Sequence, residues 1–182
     1  MIKEYGFREE MYHFMIPKNR IGCEIGVCRG VNAVNLFQST KPKILHLVDI
    51  WKDNQKPELQ VQMHREDNYF KQVSLFFTQE IQNNRVKLHK MDSLKFLNSL
   101  QNEYLDWIYL DSCHFYKHIK QEIILSLKKV RKGGLIMGHD FHPGDPQRSG
   151  VIRAVIESCQ DGLMEMIAIS SERWASWICK VK

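Results

Sequence analysis

Glu24, Asp49, Asp92, Asp111, His139 and Asp140 lie at or beside the ends of short apolar runs along this 182-residue sequence, and His114 follows Asp111 by three positions. These residue types transfer protons and accept hydrogen bonds from hydroxyls and amines. Any one of them is weak evidence. Their recurrence at five successive run ends is stronger, because ligands of open α/β sheets bind outside the carboxyl ends of the strands. Asp49 lies 25 residues after Glu24, at the end of the second run. An acidic residue there accepts from ribose hydroxyls in nucleotide-binding units. Asp92, followed by Ser93, can cap the next helix, accept from the exocyclic amine of adenine, or do both.

The turn after the first run narrows the ligand. Glu24-Ile25-Gly26-Val27-Cys28-Arg29-Gly30 has the spacing Glu-x-Gly-x-x-x-Gly. A pyrophosphate cradle needs G-x-G-x-x-G ahead of a helix N-terminus. A ligand with a ribose, an adenine and an amino-acid tail, but no phosphates, suits this turn better. Gly26 and Gly30 would grip the tail, and Glu24 would approach its amine directly or through water. Ile50 and Trp51, just after Asp49, are candidates to pack on the purine.

Strands and helices must alternate to bring these residues together. Apolar runs at 21–24, 43–49, 86–91, 106–110 and 135–138 read as buried strands. Helical periodicity places Ala33, Leu36 and Phe37 on one face, then Tyr69, Phe70, Val73, Phe76, Phe77 and Ile81, then Leu94, Leu97 and Leu100. Ile119, Ile123, Ile124, Leu127 and Val130 mark a fourth helix, with Gly133-Gly134 as its C-cap, and Val151, Ile152, Val155, Ile156 and Cys159 a fifth. Runs at 163–169 and 174–181, joined by Ser170 to Arg173, read as a closing antiparallel hairpin. Such alternation predicts an α/β fold with a parallel sheet and helices on both faces. The chain reads as a single domain over 1–182, and residues 1–20 as either an edge packing segment or a flap, with a short helix ended by Pro17. Residues 1–20, 52–68 and 141–150 carry no readable motif and would shape an acceptor pocket; Trp51, Tyr69, Tyr116, Phe141 and Arg148 are candidate walls.

The net charge of +5 is scattered, and the cluster Lys128 to Lys132 falls at a helix end, where cations complement the dipole. This argues against a nucleic-acid partner. Five cysteines without a Cys-x-x-Cys pair read as reduced thiols in a reducing compartment, and the acidic N-terminus reads as no signal peptide. The expectation is a cytoplasmic protein with no membrane segment, a small-molecule substrate and an open question of homo-oligomerisation. His118 and His142 read as surface residues, and His46 and His89 as structural ones inside strands.

The glycine turn resembles motif I of the class I S-adenosylmethionine-dependent methyltransferases, with Asp49 matching their ribose-binding acid and Asp92-Ser93 their adenine position. Leu110-Asp111-Ser112-Cys113-His114-Phe115-Tyr116 and Gly133-Gly134-Leu135-Ile136-Met137-Gly138-His139-Asp140-Phe141 resemble the small-molecule O-methyltransferase branch, which includes macrolide sugar O-methyltransferases. The resemblance covers residues 20 to 181. It implies a Rossmann-like, doubly wound, seven-stranded sheet of order 3-2-1-4-5-7-6 with strand 7 antiparallel. It implies S-adenosylmethionine held by Glu24, Gly26, Gly30, Asp49, Ile50, Asp92, Ser93 and Asp111, and methyl transfer to a hydroxyl of a small molecule such as a sugar or glycan precursor. His114 would be the base beside Asp111. Asp111, His139 and Asp140 would bind Mg²⁺ or Mn²⁺; His139 departs from the carboxylate common there, and hard Mg²⁺ prefers oxygen. The alternatives are a nucleic-acid or protein acceptor, or a cofactor-binding module without catalysis.

Overall fold

The computed structural model describes residues 1–51, 68–143 and 149–182. In chain order the elements are β1 (Lys3–Tyr5), α1 (Arg8–Met15), β2 (Ile21–Ile25), α2 (Val31–Thr40), β3 (Ile44–Asp49), α3 (Asn68–Phe76), α4 (Thr78–Gln82), β4 (Val86–Lys90), α5 (Ser93–Ser99), β5 (Leu105–Leu110), α6 (Tyr116–Lys129), β6 (Val130–Gly138), α7 (Ser149–Gln160), β7 (Met164–Ser170) and β8 (Trp177–Val181).

Eight strands form one sheet in the order β1-β7-β8-β6-β5-β2-β3-β4. β8 runs antiparallel to β6 and β7, and the other pairs are parallel. Leaving β1 aside, this is the order expected from the family resemblance. The addition is β1, which joins the edge beside β7 with Lys3 opposite Ala168. Its three residues carry no apolar alternation, so only the pairing reveals it.

Side chains alternate between the two faces along each strand. Ile108 and Leu110 of β5 pack with Phe96, Ile119, Ile123 and Val155 from α5, α6 and α7. Trp107 and Tyr109 pack on the opposite face with Met11, Tyr12, Leu36 and Val73 from α1, α2 and α3. Within residues 1–20, Met11 and Tyr12 are fully buried and pack α1 on this face of the sheet. The helical pattern from Tyr69 to Ile81 breaks at Phe77, which is buried and serves as N-cap of α4.

One local reading is corrected. Gly133-Gly134 does not cap a helix. α6 ends on Val130 in an extended conformation (φ −86°, ψ 132°), and both glycines lie inside β6. A Cβ at Gly134 would press on the Asp106 carbonyl at 2.6 Å, so the glycine lets β6 approach β5. The basic cluster beside it is engaged within the fold, with Lys129 Nζ donating to Leu100 O (2.8 Å) and Arg131 Nε to Asp106 Oδ1 (2.6 Å). Among the described residues no helix is long and apolar enough to cross a membrane.

Candidate active site

The parallel strands deliver their terminal residues to one edge. Ladder bonds continue past the strand ends: Gly26 N donates to Val48 O (2.9 Å), Asp111 N to Ile25 O (2.8 Å), Met91 N to Asp49 O (3.0 Å) and His139 N to Leu110 O (3.3 Å). Gly26 has φ 89°, and a Cβ there would run into the backbone carbonyl of Asp111. The glycine turn after β2 thus lies directly against the first residue after β5. Gly30, with φ 83°, is the N-cap of α2.

Asp49 clasps this turn. Its Oδ2 accepts from Cys28 N (2.8 Å) and its Oδ1 from Trp51 N (2.9 Å). Cys28 and Trp51 both have left-handed backbones (φ 53° and 40°), a strain that is held by surrounding structure and clusters at functional sites. Each carboxylate oxygen has a second lone pair, so Asp49 retains acceptor capacity for hydroxyls. Trp51 does not serve as a purine wall. It is 5% exposed, packs edge-on to Phe70 and donates from Nε1 to Cys28 O (3.0 Å). Ile50 beside it is exposed at the edge. Asp92 caps α5 through Lys95 N (3.0 Å). Tyr69 Oη accepts from Arg29 Nε (2.9 Å) at the same rim, whereas Tyr116 is turned to Glu157 (2.6 Å) between α6 and α7. Phe141 packs against the helical core on the α5–α7 face. Arg148 lies outside the described residues, as do 52–67 and 144–147 of the expected acceptor segments.

Glu24 is fully buried. Its Oε1 accepts from Asn32 Nδ2 (2.9 Å), and Asn32 Oδ1 accepts from the Tyr12 hydroxyl (2.9 Å). Oε2 has no hydrogen-bond partner among the described residues. Burial pushes the carboxyl up to about 8; the Asn32 bond offsets part of this, and the charges of Asp111 and Asp49 add to the rise. A buried carboxyl oxygen lacking a partner, beside a positive-φ glycine turn, fits the ammonium of an amino-acid tail.

The reactive cluster sits across the turn. His114 Nε2 lies 2.7 Å from Asp140 Oδ2 and 3.7 Å from Asp111 Oδ1. Burial opposes the imidazolium, but Asp111 and Asp140 outweigh it and raise His114 to about 9. Burial likewise works to raise Asp111, yet hydrogen bonds from His114 and His139 win and hold it below the usual carboxylate range. Asp140 is buried and has a left-handed backbone (φ 57°).

Asp111, His139 and Asp140 bring potential ligand atoms within 4.8 Å of one another. The hydrogen bonding around them does not suit a divalent ion. Arg8 Nη2 is 2.7 Å from His139 Nε2. An arginine only donates, so the ring proton is placed on Nδ1, the nitrogen that faces the carboxylates. His114 already occupies Asp140 Oδ2. The metal expected at these residues is therefore at odds with the arrangement.

Several residues of the site carried no local signal. Arg8 and Tyr12 reach it only because α1 packs on the sheet. His118, expected at the surface, is half-buried; its Nε2 lies 3.0 Å from Glu122 Oε1 and 3.2 Å from Ser93 Oγ. Ser112 Oγ donates to the same Glu122 oxygen (2.7 Å), so buried Glu122 ties the end of β5 to the start of α5. Its signal was available: Glu122 falls in register with Ile119, Ile123 and Ser126 on the buried face of α6. His46 and His89 are structural as expected, with Nδ1 and Nε2 2.9 Å apart.

The family model of a methyltransferase domain, Methyltransf_24, matches residues 23–141, which is more than half of the chain and spans every strand end described above. The chain belongs to this methyltransferase family. Solved structures share the fold at low identity. A protein of Streptococcus mutans in complex with S-adenosylhomocysteine aligns with a TM-score of 0.68 at 9% identity, covering 96% of each chain. The N-methyltransferase NodS of Bradyrhizobium japonicum, also with S-adenosylhomocysteine, gives 0.66 at 12%, covering 96% of this chain and 84% of that one. An rRNA methylase from Streptococcus thermophilus gives 0.67 at 9%, covering 96% and 93%. No curated protein matches the sequence.

Proposed function

We propose that the protein transfers a methyl group from S-adenosylmethionine to a hydroxyl of a small molecule, such as a sugar or glycan precursor. The observation that carries this reading is the Asp111–His114–Asp140 cluster beside the glycine turn. When bound, the cofactor supplies a methyl group on a positively charged sulfur. The residues of this chain do the rest. Glu24 and the Gly26 turn hold the amino-acid tail, Asp49 accepts from the ribose hydroxyls, and Ile50, Asp92 and Ser93 border the adenine. A hydroxyl is a weak nucleophile at neutral pH and must lose its proton as it attacks. His114 takes that proton on the ring nitrogen turned away from Asp140, and Asp111 and Asp140, which face its Nε2, hold the ring and stabilise the imidazolium that forms.

The scattered basic charge and the engagement of Lys129 and Arg131 within the fold favour a small acceptor over a nucleic acid. The test supplies methyl-labelled S-adenosylmethionine together with hydroxylated metabolites in one arm and total RNA in the other. Label is expected in an ether linkage on a small molecule. Label confined to RNA, or to an amine, would refute the hydroxyl reading. Failure to bind S-adenosylhomocysteine in calorimetry would remove the cofactor reading altogether.

A further inference from the structure

We infer that Arg8 is a positioning residue of the acceptor cleft, which holds His139 as the Nδ1–H tautomer and thereby closes the Asp111–His139–Asp140 cluster to a divalent cation. A guanidinium offers five N–H donors and no lone pair. Arg8 Nη2 stands 2.7 Å from His139 Nε2, so Nε2 supplies the lone pair. The proton of the ring is then on Nδ1, which lies 3.8 Å from Asp111 Oδ1 and 3.7 Å from Asp140 Oδ1. A cation shared with those carboxylates needs the Nδ1 lone pair. Supplying it moves the proton to Nε2, where N–H meets N–H across 2.7 Å. A doubly protonated ring meets the same clash. Metal-bound histidines donate their second ring N–H to an acceptor; here the second nitrogen faces a donor, the reverse arrangement.

The clamp is built into the fold. Arg8 is the first residue of α1, and its side chain is 20% exposed. Its Nε donates to Glu172 Oε1 (3.3 Å) and its backbone N to Glu172 Oε2 (3.1 Å). Ser170 Oγ donates to that second oxygen (2.9 Å). Arg8 therefore presents its Nη2 from a fixed base on the link between β7 and β8. On the far side, the His139 carbonyl accepts from Trp177 Nε1 (3.3 Å), so the backbone of His139 is held as well. With the cluster closed to a Lewis acid, deprotonation of the acceptor falls to His114.

This role of Arg8 rests on reading the cleft as the methyl-transfer site, and the tautomer can be measured apart from it. The full-length protein, ¹⁵N-labelled at histidine, is examined at pH 7 without added metal by long-range ¹H–¹⁵N correlation, with His139 assigned through His139→Gln. The expected spectrum shows His139 neutral and protonated at Nδ1. Arg8→Ala is expected to raise the share of the Nε2–H form against the pull of Asp111 and Asp140 on Nδ1–H, and Arg8→Lys, which keeps a donor, to reverse the change. In parallel, Mn²⁺ is titrated by calorimetry. Arg8→Ala is expected to bind Mn²⁺ at least about tenfold more tightly than the wild type, the size of effect seen for outer-shell partners of metal ligands, and Asp111→Asn should abolish the gain. An Nε2–H signal in the wild type would overturn the inference. So would tight Mn²⁺ binding by the wild type that is lost in Asp140→Asn. Both wild-type measurements decide the matter even if Arg8→Ala fails to fold. Calorimetry with S-adenosylhomocysteine on the same wild-type sample separates the two readings: its failure would overturn the placing of Arg8 in a methyl-transfer cleft and leave the tautomer result standing.

Discussion

Glu24 offers a sharp test of the cofactor grip, because its charge must change when the ligand arrives. Burial first, with the Asp111 and Asp49 charges adding to it, raises the carboxyl to about 8 despite the Asn32 hydrogen bond. At pH 6 it is therefore about 1% ionised, and at pH 8 about half. An ammonium seated at Oε2 binds the ionised form, so binding below pH 8 expels a proton into solvent. Affinity for S-adenosylhomocysteine should rise about fiftyfold between pH 6 and pH 8, worth about 2 kcal/mol. Calorimetry in two buffers of different ionisation enthalpy reads the released proton directly. Glu24→Gln imitates the protonated group; it should abolish both the proton release and the slope while leaving weak binding. Linkage gives the same residue an opposite effect on the ligand-free fold. Its folded value is raised above the unfolded 4.5, so its contribution to stability is full below about 4.5 and is lost as pH rises through 8. Affinity and stability should thus move in opposite directions with pH. A dissociation constant flat from pH 6 to 8, with no buffer-dependent heat, would refute the assignment of Glu24 to the amine.

Two further outcomes follow from the same edge. With His114 raised to about 9 by Asp111 and Asp140 against the pull of burial, the form able to accept a proton grows about tenfold per pH unit below 9; the single-turnover rate should climb accordingly, and His114→Gln should cut it by about 10²–10⁴ and flatten the profile while leaving S-adenosylhomocysteine binding intact. A rate that is level from pH 6.5 to 8.5 would remove His114 as the base. Gly26→Ala forces a Cβ into the Asp111 carbonyl at a positive φ, a combined cost of about 2–4 kcal/mol. Thermal unfolding should show a midpoint lower by about 5–15 °C, and an unchanged midpoint would mean that the turn does not press on Asp111.

Much of this edge is legible from residue order alone, for a physical reason. Parallel strands buried on both faces read as continuous apolar runs, so the polar residue ending each run stands out. That is why Asp49, Asp111, His139 and Asp140 were found at strand ends where the sheet places them. What the residues do with their neighbours was less legible. Trp51 looked like a purine wall because it follows Asp49, yet its large apolar surface gained more by packing against Phe70 in the core. Gly133-Gly134 matched a helix stop, but the same freedom that caps helices also lets two strands approach closely, and local pattern does not separate the uses. β1 lies beyond any local signal: Lys3, Glu4 and Tyr5 form a strand only because β7 offers its unpaired edge.

The N-terminal segment, the least readable part of the chain, bears on both halves of the site. β1 adds to the sheet beside β7, and Ser171 N donates to Tyr5 O (2.8 Å), which fixes where α1 begins. From that start, Arg8 comes within 2.7 Å of His139 and, one turn later, Tyr12 reaches Asn32 and through it Glu24. Residues at i and i+4 share one face of a helix, so a single rigid turn touches both the acceptor cluster and the carboxyl assigned to the cofactor amine. Tyr12 also packs edge-on to Tyr109 of β5, with ring centroids 5.6 Å apart, which braces that turn against the central strand. A displacement of α1 therefore cannot release one contact and keep the other. On the proposed reading, one helical turn seated on the sheet ties the Glu24 grip to His139 of the acceptor cluster, and an in-line methyl transfer depends on such close alignment of its partners.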